Sequence, residues 1–131
     1  MKPKVLVVVA NYYPNISLKL NLHAKNILNK KTNYKFIYVP GIFEIPVVIS
    51  KNINKYDGFI ALGCVIKGQT PHFEFISSAT TNAIMKLSID YKKPIGNGII
   101  TCLNMKQAIP RSKTKGQEAA KAVLSVLGHK K

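Results

Sequence analysis

The chain has 131 residues, a length that suits one domain with a substantial core, and we predict a single domain over residues 1–131. Its apolar content of 47% argues against disorder, and no apolar run is long enough to cross a bilayer. The net charge of +15 makes nucleic acid a candidate partner, but the lysines are scattered along the chain, so we expect neither a nucleic-acid nor a membrane partner.

The first part of the chain alternates strand and helix patterns. Val5 to Ala10 is a continuous apolar run, which is typical of a strand buried on both faces of a parallel sheet. Polar residues and a proline end this run early, without a cleavage site, so we expect a cytoplasmic protein and no signal peptide. Asn15 is predicted to cap a helix whose apolar positions from Ile16 to Leu28 share one face. Lys35 to Val39 is predicted to form the second strand.

The same alternation continues to the end of the chain. A short helix is predicted from Phe43 to Lys51, beginning close to Pro46 because proline is tolerated only in a first turn. The later predicted elements are a strand over 59–66, a helix over 73–91, a strand within 95–103, a short helix over about 104–109 and a last helix from near Gly116. This order predicts a doubly wound parallel α/β sheet, with ligands bound beyond the carboxyl ends of the strands.

The segment 68–74 follows the third predicted strand and opens the long helix. Thr70 is predicted as the N-cap of that helix and Pro71 as its first residue. Free backbone N–H groups there would bind an anion, with Gln69 and Thr70 beside it. His72, in the first turn, would be a neutral imidazole suited to acid–base chemistry. From the residues alone, an ordinary capped helix with an exposed histidine is an equally good interpretation.

Further candidates follow the other predicted strands. Glu44 would accept hydrogen bonds from ligand hydroxyls or would merely complement a helix dipole. Tyr12, next to Tyr13, offers an aromatic face to a planar heterocycle. Arg111, the only arginine, would grip a phosphate with its forked donors or would lie in a solvated basic loop that includes Lys115.

Cys64 and Cys102 both lie inside apolar runs. A metal site requires more ligands at closer spacing, and a disulfide is rare in the cytosol. We therefore expect two buried thiols and no metal site.

Five segments occur together in the order and register of one family. They are PGIFEIP (40–46), ALGCVIKGQTPHFEFI (61–76), PIGNGIIT (94–101), QAIPRS (107–112) and KGQEAA (115–120). With this combination the chain resembles the 6,7-dimethyl-8-ribityllumazine synthases over nearly its whole length. The resemblance implies a flavodoxin-like three-layer α/β/α sandwich with a four-stranded parallel sheet. It also implies a condensation without a cofactor, which joins 5-amino-6-(D-ribitylamino)uracil to 3,4-dihydroxy-2-butanone 4-phosphate and releases phosphate and water.

The same resemblance implies a role for individual residues. His72 would be the catalytic, proton-transferring residue, and Tyr12 would stack on the pyrimidine ring where the family usually has Phe or Trp. The phosphate would be held by Gln69, Thr70, Arg111 and Lys115. The other implied substrate contacts are Ile42, Phe43, Glu44, Cys64, Val65, Ile66 and Asn97. Of these, Asn97 matches a residue that family members contribute across a subunit boundary.

The resemblance further implies a homo-oligomer, most simply a pentamer with active sites at subunit interfaces, and riboflavin synthase as a candidate partner. The short segment before the first strand favours a free pentamer over a sixty-subunit shell. Two alternatives stay open. The first is a non-catalytic flavin- or lumazine-binding protein of the same fold. The second, a basic nucleic-acid-binding module, is disfavoured because no nucleic-acid motif is present.

Overall fold

The structure is a computed structural model that describes residues 2–128. Within these residues the strands are β1 (Lys4–Ala10), β2 (Asn33–Val39), β3 (Gly58–Ile66) and β4 (Ile95–Cys102). The helices are α1 (Pro14–Leu28), α2 (Ile45–Lys51), α3 (Phe73–Tyr91) and α4 (Met105–Leu127), with a single 3-10 turn, Ile42–Glu44, before α2. No helix in this range is long and apolar enough to span a bilayer.

The sheet has the strand order β2-β1-β3-β4, and all of its strand pairs are parallel. This is the start of the flavodoxin-like order, so the predicted four-stranded doubly wound sheet is confirmed. All nine residues of β3 are buried, as expected for a central strand covered on both faces. In β1, Val5 and Val7 belong to the core under α1 and α4, whereas Leu6 and Val8 belong to the core under α2 and α3. The alternation of side chains thus builds three layers.

One continuous helix, α4, replaces the two helices predicted after β4. Pro110 lies inside it and cannot donate to the carbonyl of Lys106, which is the usual reason for a helix to stop. Packing overrides that penalty, because α4 buries one face that contains several small residues and packs against α1. At Gly116 a Cβ atom would come within 2.5 Å of the carbonyl oxygen of Leu20, so the two helices approach as closely as their backbones allow. The prediction of a loop around Arg111 was therefore wrong.

The start of α1 also differs from the prediction. Tyr13, and not Asn15, is the N-cap, and Pro14 takes the first helical position. The carbonyl of Tyr13 accepts hydrogen bonds from the N–H groups of Ile16 and Ser17, each at 3.0 Å. Proline suits this position because it has no N–H to leave unsatisfied.

The start of α3 is the second correction. His72 is the N-cap, in the left-handed conformation with φ 57°, so Thr70 does not cap the helix and Pro71 lies outside it. Thr70 belongs to the preceding turn, where its N–H donates to the carbonyl of Ile66 at 3.1 Å. His72 consequently lies at the bend between turn and helix, and not in the first helical turn.

Candidate active site

Most of the predicted site residues line one cleft of about 320 Å³ at the carboxyl edge of the sheet. The cleft lies beyond the carboxyl ends of β1 and β3, which are neighbours in the sheet. The helices that follow these two strands, α1 and α3, pack on opposite faces of the sheet. Ligands of open α/β sheets bind at such a switch point. The predicted residues in this cleft are Tyr12, Ile42, Phe43, Glu44, Cys64, Val65, Thr70 and His72.

Two aromatic side chains stand at the cleft with much of their surface exposed. Tyr12 is 55% exposed and Phe43 is 59% exposed. The ring of Tyr12 meets the ring of Tyr13 edge to face, with centroids 4.9 Å apart and planes at 79°. This contact supports the Tyr12 ring, and the exposed surface of that ring can stack on a planar heterocycle.

Glu44 uses one carboxylate oxygen in the local structure and keeps the other unpaired within the described residues. Its Oε1 atom accepts a hydrogen bond from the Gly41 N–H at 2.9 Å and so closes the 3-10 turn. Its Oε2 atom has no hydrogen-bond partner within residues 2–128, and Glu44 lines a cleft that is otherwise largely apolar. A carboxylate held by one oxygen can present the other to ligand hydroxyl groups.

The turn between β3 and α3 brings Thr70 and His72 to the same cleft. Gly68, with φ 84°, and His72 are both left-handed, which folds this turn back over the strand ends. The Thr70 hydroxyl oxygen lies 3.2 Å from the hydroxyl oxygen of Tyr13. The His72 side chain is exposed and makes no hydrogen bond within the described residues, so its imidazole is free to meet a substrate.

Cys64 lines the cleft but is only 6% exposed, and Cys102 is also buried and free, as predicted for both thiols. Burial raises the pKa of Cys64 from 9.0 to about 12, and the neighbouring Cys102 thiol adds to the rise. Nucleophilic attack by cysteine requires the thiolate. Cys64 therefore packs against the cleft as a neutral group.

Arg111 and Lys115 line a different hollow, of about 270 Å³, at the free edge of β4. Its other lining residues are Ile99, Ile100, Thr101, Thr114 and Glu118. The carbonyl of Cys102 accepts from Lys67 on the β3 side, so the carbonyl of Thr101 points outward to the free edge. Arg111 Nη1 donates to that carbonyl at 3.2 Å, and Lys115 follows one helical turn later. Within one chain, this basic pair does not line the His72 cleft.

Three other predicted residues also lie outside the cleft. Ile66 is fully buried in the core under α1 and α4, and Gln69 is exposed on the turn. Asn97 is exposed on β4, where its side-chain oxygen accepts from the N–H of Ile99 at 3.0 Å. No group of three or more His, Cys, Asp or Glu side chains in residues 2–128 is arranged to hold a metal ion.

Sequence reasoning missed several residues of the cleft. Pro40, Gly41, Pro71 and Ile76 line it, and Tyr13 supports it from behind through Thr70. Ile76 lies one turn after His72 on α3, a spacing that could have identified it. No local signal points to the Tyr13–Thr70 contact, which joins residues 57 positions apart.

Comparison with known proteins assigns the chain to a family. The sequence model of the 6,7-dimethyl-8-ribityllumazine synthases matches residues 2–131. The synthase of that name from Bartonella tribocorum is 43% identical over 138 residues, covering 99% of this chain and 91% of the relative. The synthase from Agrobacterium fabrum is 39% identical, covering 99% and 96%, and the one from Buchnera aphidicola is 37% identical, covering 94% and 84%. The chain belongs to the 6,7-dimethyl-8-ribityllumazine synthase family.

Proposed function

We propose that this protein condenses 5-amino-6-(D-ribitylamino)uracil with 3,4-dihydroxy-2-butanone 4-phosphate to give 6,7-dimethyl-8-ribityllumazine, phosphate and water. The observation that carries the proposal is the convergence of Tyr12, Glu44, Thr70 and His72 on one cleft. These side chains offer an aromatic face, a carboxylate, a hydroxyl and an imidazole. Family membership supplies the reaction, which requires two small molecules to be held together while protons move.

In this proposal the uracil occupies the part of the cleft near β1 and β2. Its planar ring stacks on Tyr12, whose exposed surface is already set by the contact with Tyr13. The ribityl hydroxyls donate to the free Oε2 atom of Glu44. Ile42 and Val65 supply the apolar wall beside the ring.

The phosphate of the butanone occupies the part of the cleft near the start of α3. Thr70 lines this part of the cleft, and Gln69 precedes it on the same turn. The first N–H groups of α3 have no partners inside the helix, and together with the helix dipole they favour an anion. The phosphate is therefore held where it will later leave.

The chemistry needs one group that exchanges protons. The uracil amine attacks the ketone carbon, and the carbonyl oxygen leaves as water once it is protonated, which gives an imine. Loss of the C3 proton and of phosphate then gives an enol, which tautomerises to a ketone. The ribitylamino nitrogen attacks this ketone carbon, and loss of a second water completes the bicyclic product. His72 lies between the two proposed substrate positions, so its imidazole can take a proton from the amine and return it to the departing oxygen.

We propose that Arg111, Lys115 and Asn97 complete the site from a second copy of the chain. They lie at the free edge of β4, whereas the cleft opens at the tips of β1, β2 and β3. A contact between two different surfaces of identical subunits is heterologous, and it closes into a ring when the rotation allows. We propose a homopentamer with five such sites in the cytoplasm, where the two free thiols are expected to stay reduced. Riboflavin synthase stays a candidate partner on family resemblance alone.

An exposed apolar stripe on α3 supports self-association. Phe75, Met85 and Ile89 are 72%, 59% and 66% exposed. They lie on one face of α3, on which the polar residues Ser78 and Asn82 lie between Phe75 and Met85. Apolar stripes of this kind mark interaction surfaces, so α3 is well suited to face its counterparts in other copies.

The proposed function is tested by mixing the purified protein with both substrates and following lumazine absorbance against a protein-free control. Faster product formation supports the synthase. Tight binding of the lumazine or of a flavin without faster product formation would instead support the non-catalytic alternative, which no observation made on this chain favours. Sedimentation velocity on the same sample measures the oligomeric state, and a monomer with full activity would contradict the shared site.

A further inference from the structure

We infer that Tyr13 is a positioning residue for the phosphate-binding turn and acts through Thr70. The inference rests on the proposed function, since it assigns Tyr13 to the same site. The hydroxyl oxygens of Tyr13 and Thr70 are 3.2 Å apart in a partly buried setting. Thr70 lines the cleft, whereas Tyr13 lies behind it.

Tyr13 is held firmly on the side away from the turn. Its carbonyl accepts the N–H groups of Ile16 and Ser17, so its backbone is part of the α1 N-terminus. Its ring packs against the core under α1 and α4 and meets the Tyr12 ring edge to face. A phenol fixed at its backbone and ring loses little further freedom when its hydroxyl makes a hydrogen bond.

The turn over residues 67–72 has few other attachments. Its backbone bonds run to the ends of β3 and β4 and, at its last residue, to the first turn of α3, where the His72 carbonyl accepts from the Ile76 N–H at 2.9 Å. Within residues 2–128, the contact with Tyr13 is the one side-chain hydrogen bond that the turn makes. The ion pair of Lys67 with Glu74, at 3.7 Å, is exposed and contributes little. Tyr13 therefore sets the position of Thr70 in a turn that contains the left-handed residues Gly68 and His72.

The direction of the hydrogen bond follows from the chemistry of the ligand. A threonine hydroxyl has one proton to donate, and a phosphate oxygen accepts. When Thr70 donates to phosphate, its proton is committed, so Tyr13 has to be the donor to Thr70. The resulting chain runs from the Tyr13 O–H to the Thr70 oxygen and from the Thr70 O–H to the phosphate, and each bond polarises the next. Tyr13 itself does not contact the substrate.

Removing the Tyr13 hydroxyl should therefore affect phosphate recognition selectively. In Tyr13→Phe we expect the Michaelis constant for the butanone phosphate to rise about two- to tenfold, the range for one lost hydrogen bond. The inhibition constant of inorganic phosphate should rise by the same factor. The turnover number and the constant for the uracil should stay within about twofold of wild type, since neither depends on that bond.

Tyr34→Phe is the matched control. It removes a tyrosine hydroxyl that donates to Asn29 Oδ1 at 2.8 Å, in an exposed position at the opposite end of the sheet. We expect no change in any of the constants for this variant. Equal effects of Tyr13→Phe and Tyr34→Phe would overturn the inference, and so would an equal rise in the constants for both substrates, which indicates a general structural defect.

A double-mutant cycle with Thr70→Val tests whether Tyr13 acts through Thr70. We expect Tyr13→Phe to add nothing once Thr70 has lost its hydroxyl, whereas independent, additive effects contradict the inference. Calorimetric titration with inorganic phosphate separates this test from the proposed function. A wild type that makes no lumazine refutes the synthase, but tighter phosphate binding by wild type than by Tyr13→Phe would still support the role of Tyr13. Equal phosphate binding by the two proteins, or none by wild type, would refute that role.

Discussion

Arg111 Nη1 donates to the carbonyl oxygen of Thr101 across 3.2 Å at the free edge of the sheet. That bond uses one of the five N–H donors of the guanidinium and leaves others for a phosphate. It also holds Arg111 next to Lys115 in a hollow that the chain's own His72 does not line. In the proposed ring, His72 and Arg111 of one subunit therefore face two different neighbouring subunits.

Mixed oligomers test this division directly. We expect His72→Asn and Arg111→Ala subunits, each inactive or weakly active alone, to regain activity when they are unfolded together and reassembled. By random mixing, about a quarter of neighbouring pairs would join an intact cleft to an intact Arg111. The rate of lumazine formation measures the recovery. Mixing His72→Asn with Thr70→Val should give no recovery, because both changes damage the same cleft; a gain there, or none in the first mixture, would contradict the shared site.

His72→Asn alone should reduce the turnover number while leaving the oligomer intact. Asparagine tolerates the left-handed conformation at this position, so the bend before α3 is kept while proton transfer is lost. General acid–base assistance is typically worth ~10²–10⁴-fold, and we expect the low end because imine formation proceeds readily once the partners meet. Steady-state kinetics, with sedimentation to verify assembly, give the answer. An unchanged turnover number would remove His72 from the mechanism.

Tyr12→Ala should weaken binding of the uracil substrate by about 1–3 kcal/mol, the usual contribution of an aromatic side chain stacked on a base. The effect should appear in the Michaelis constant for the uracil, and Tyr12→Phe should restore it because the ring is what stacks. Tyr91→Ala is a suitable control, since Tyr91 is 48% exposed but lies at the far end of α3. Equal affinity in Tyr12→Ala and wild type would show that the ring stacks elsewhere.

The layered fold was predictable because its signals are local and strong. The apolar run of β1 and the nine buried residues of β3 require cover on both faces, and helical patterns of suitable length lie between the strands. The errors came from long-range packing. Nothing near Pro110 or Gly116 predicts one unbroken helix, because the cause is the close contact with α1. Similarly, His72 became the helix cap through a left-handed bend, a conformation that histidine adopts more often than most residues but still too rarely to be predicted from the sequence.

The candidate site was predictable only in part, for a related reason. Tyr12, Glu44 and Thr70 follow three strands whose carboxyl ends must meet in a parallel sheet, so their convergence follows from topology. Asn97 lies on the edge strand and Arg111 follows it, so in the proposed ring the site that they reach belongs to a neighbouring copy. The spacing of residues along one sequence contains no information about that neighbour.

Gly116→Ala should destabilise the fold. The added methyl group would lie 2.5 Å from the carbonyl oxygen of Leu20, and neither backbone can move without separating α1 from α4. Overpacking of this kind costs about 1–3 kcal/mol, measurable as a lower midpoint in urea with an unchanged slope. Gly128→Ala serves as the control, since a methyl there meets only ordinary contacts and φ is −79°. A Gly116→Ala midpoint equal to that of Gly128→Ala would show that the helices are less tightly packed.

Cys64 should resist alkylation in the folded protein at pH 8. Burial raises its pKa to about 12, so the reactive thiolate is scarce, and the sulfur is shielded as well. We expect iodoacetamide to label Cys64 and Cys102 in urea but neither in the folded protein, as measured by mass spectrometry. The same shift has a consequence for stability. The folded state keeps a proton that the unfolded state releases above pH 9.0. The contribution of Cys64 to the free energy of unfolding is therefore fully present below pH 9.0 and is lost as the pH rises towards 12. Rapid labelling of folded Cys64 at pH 8 would refute the raised pKa.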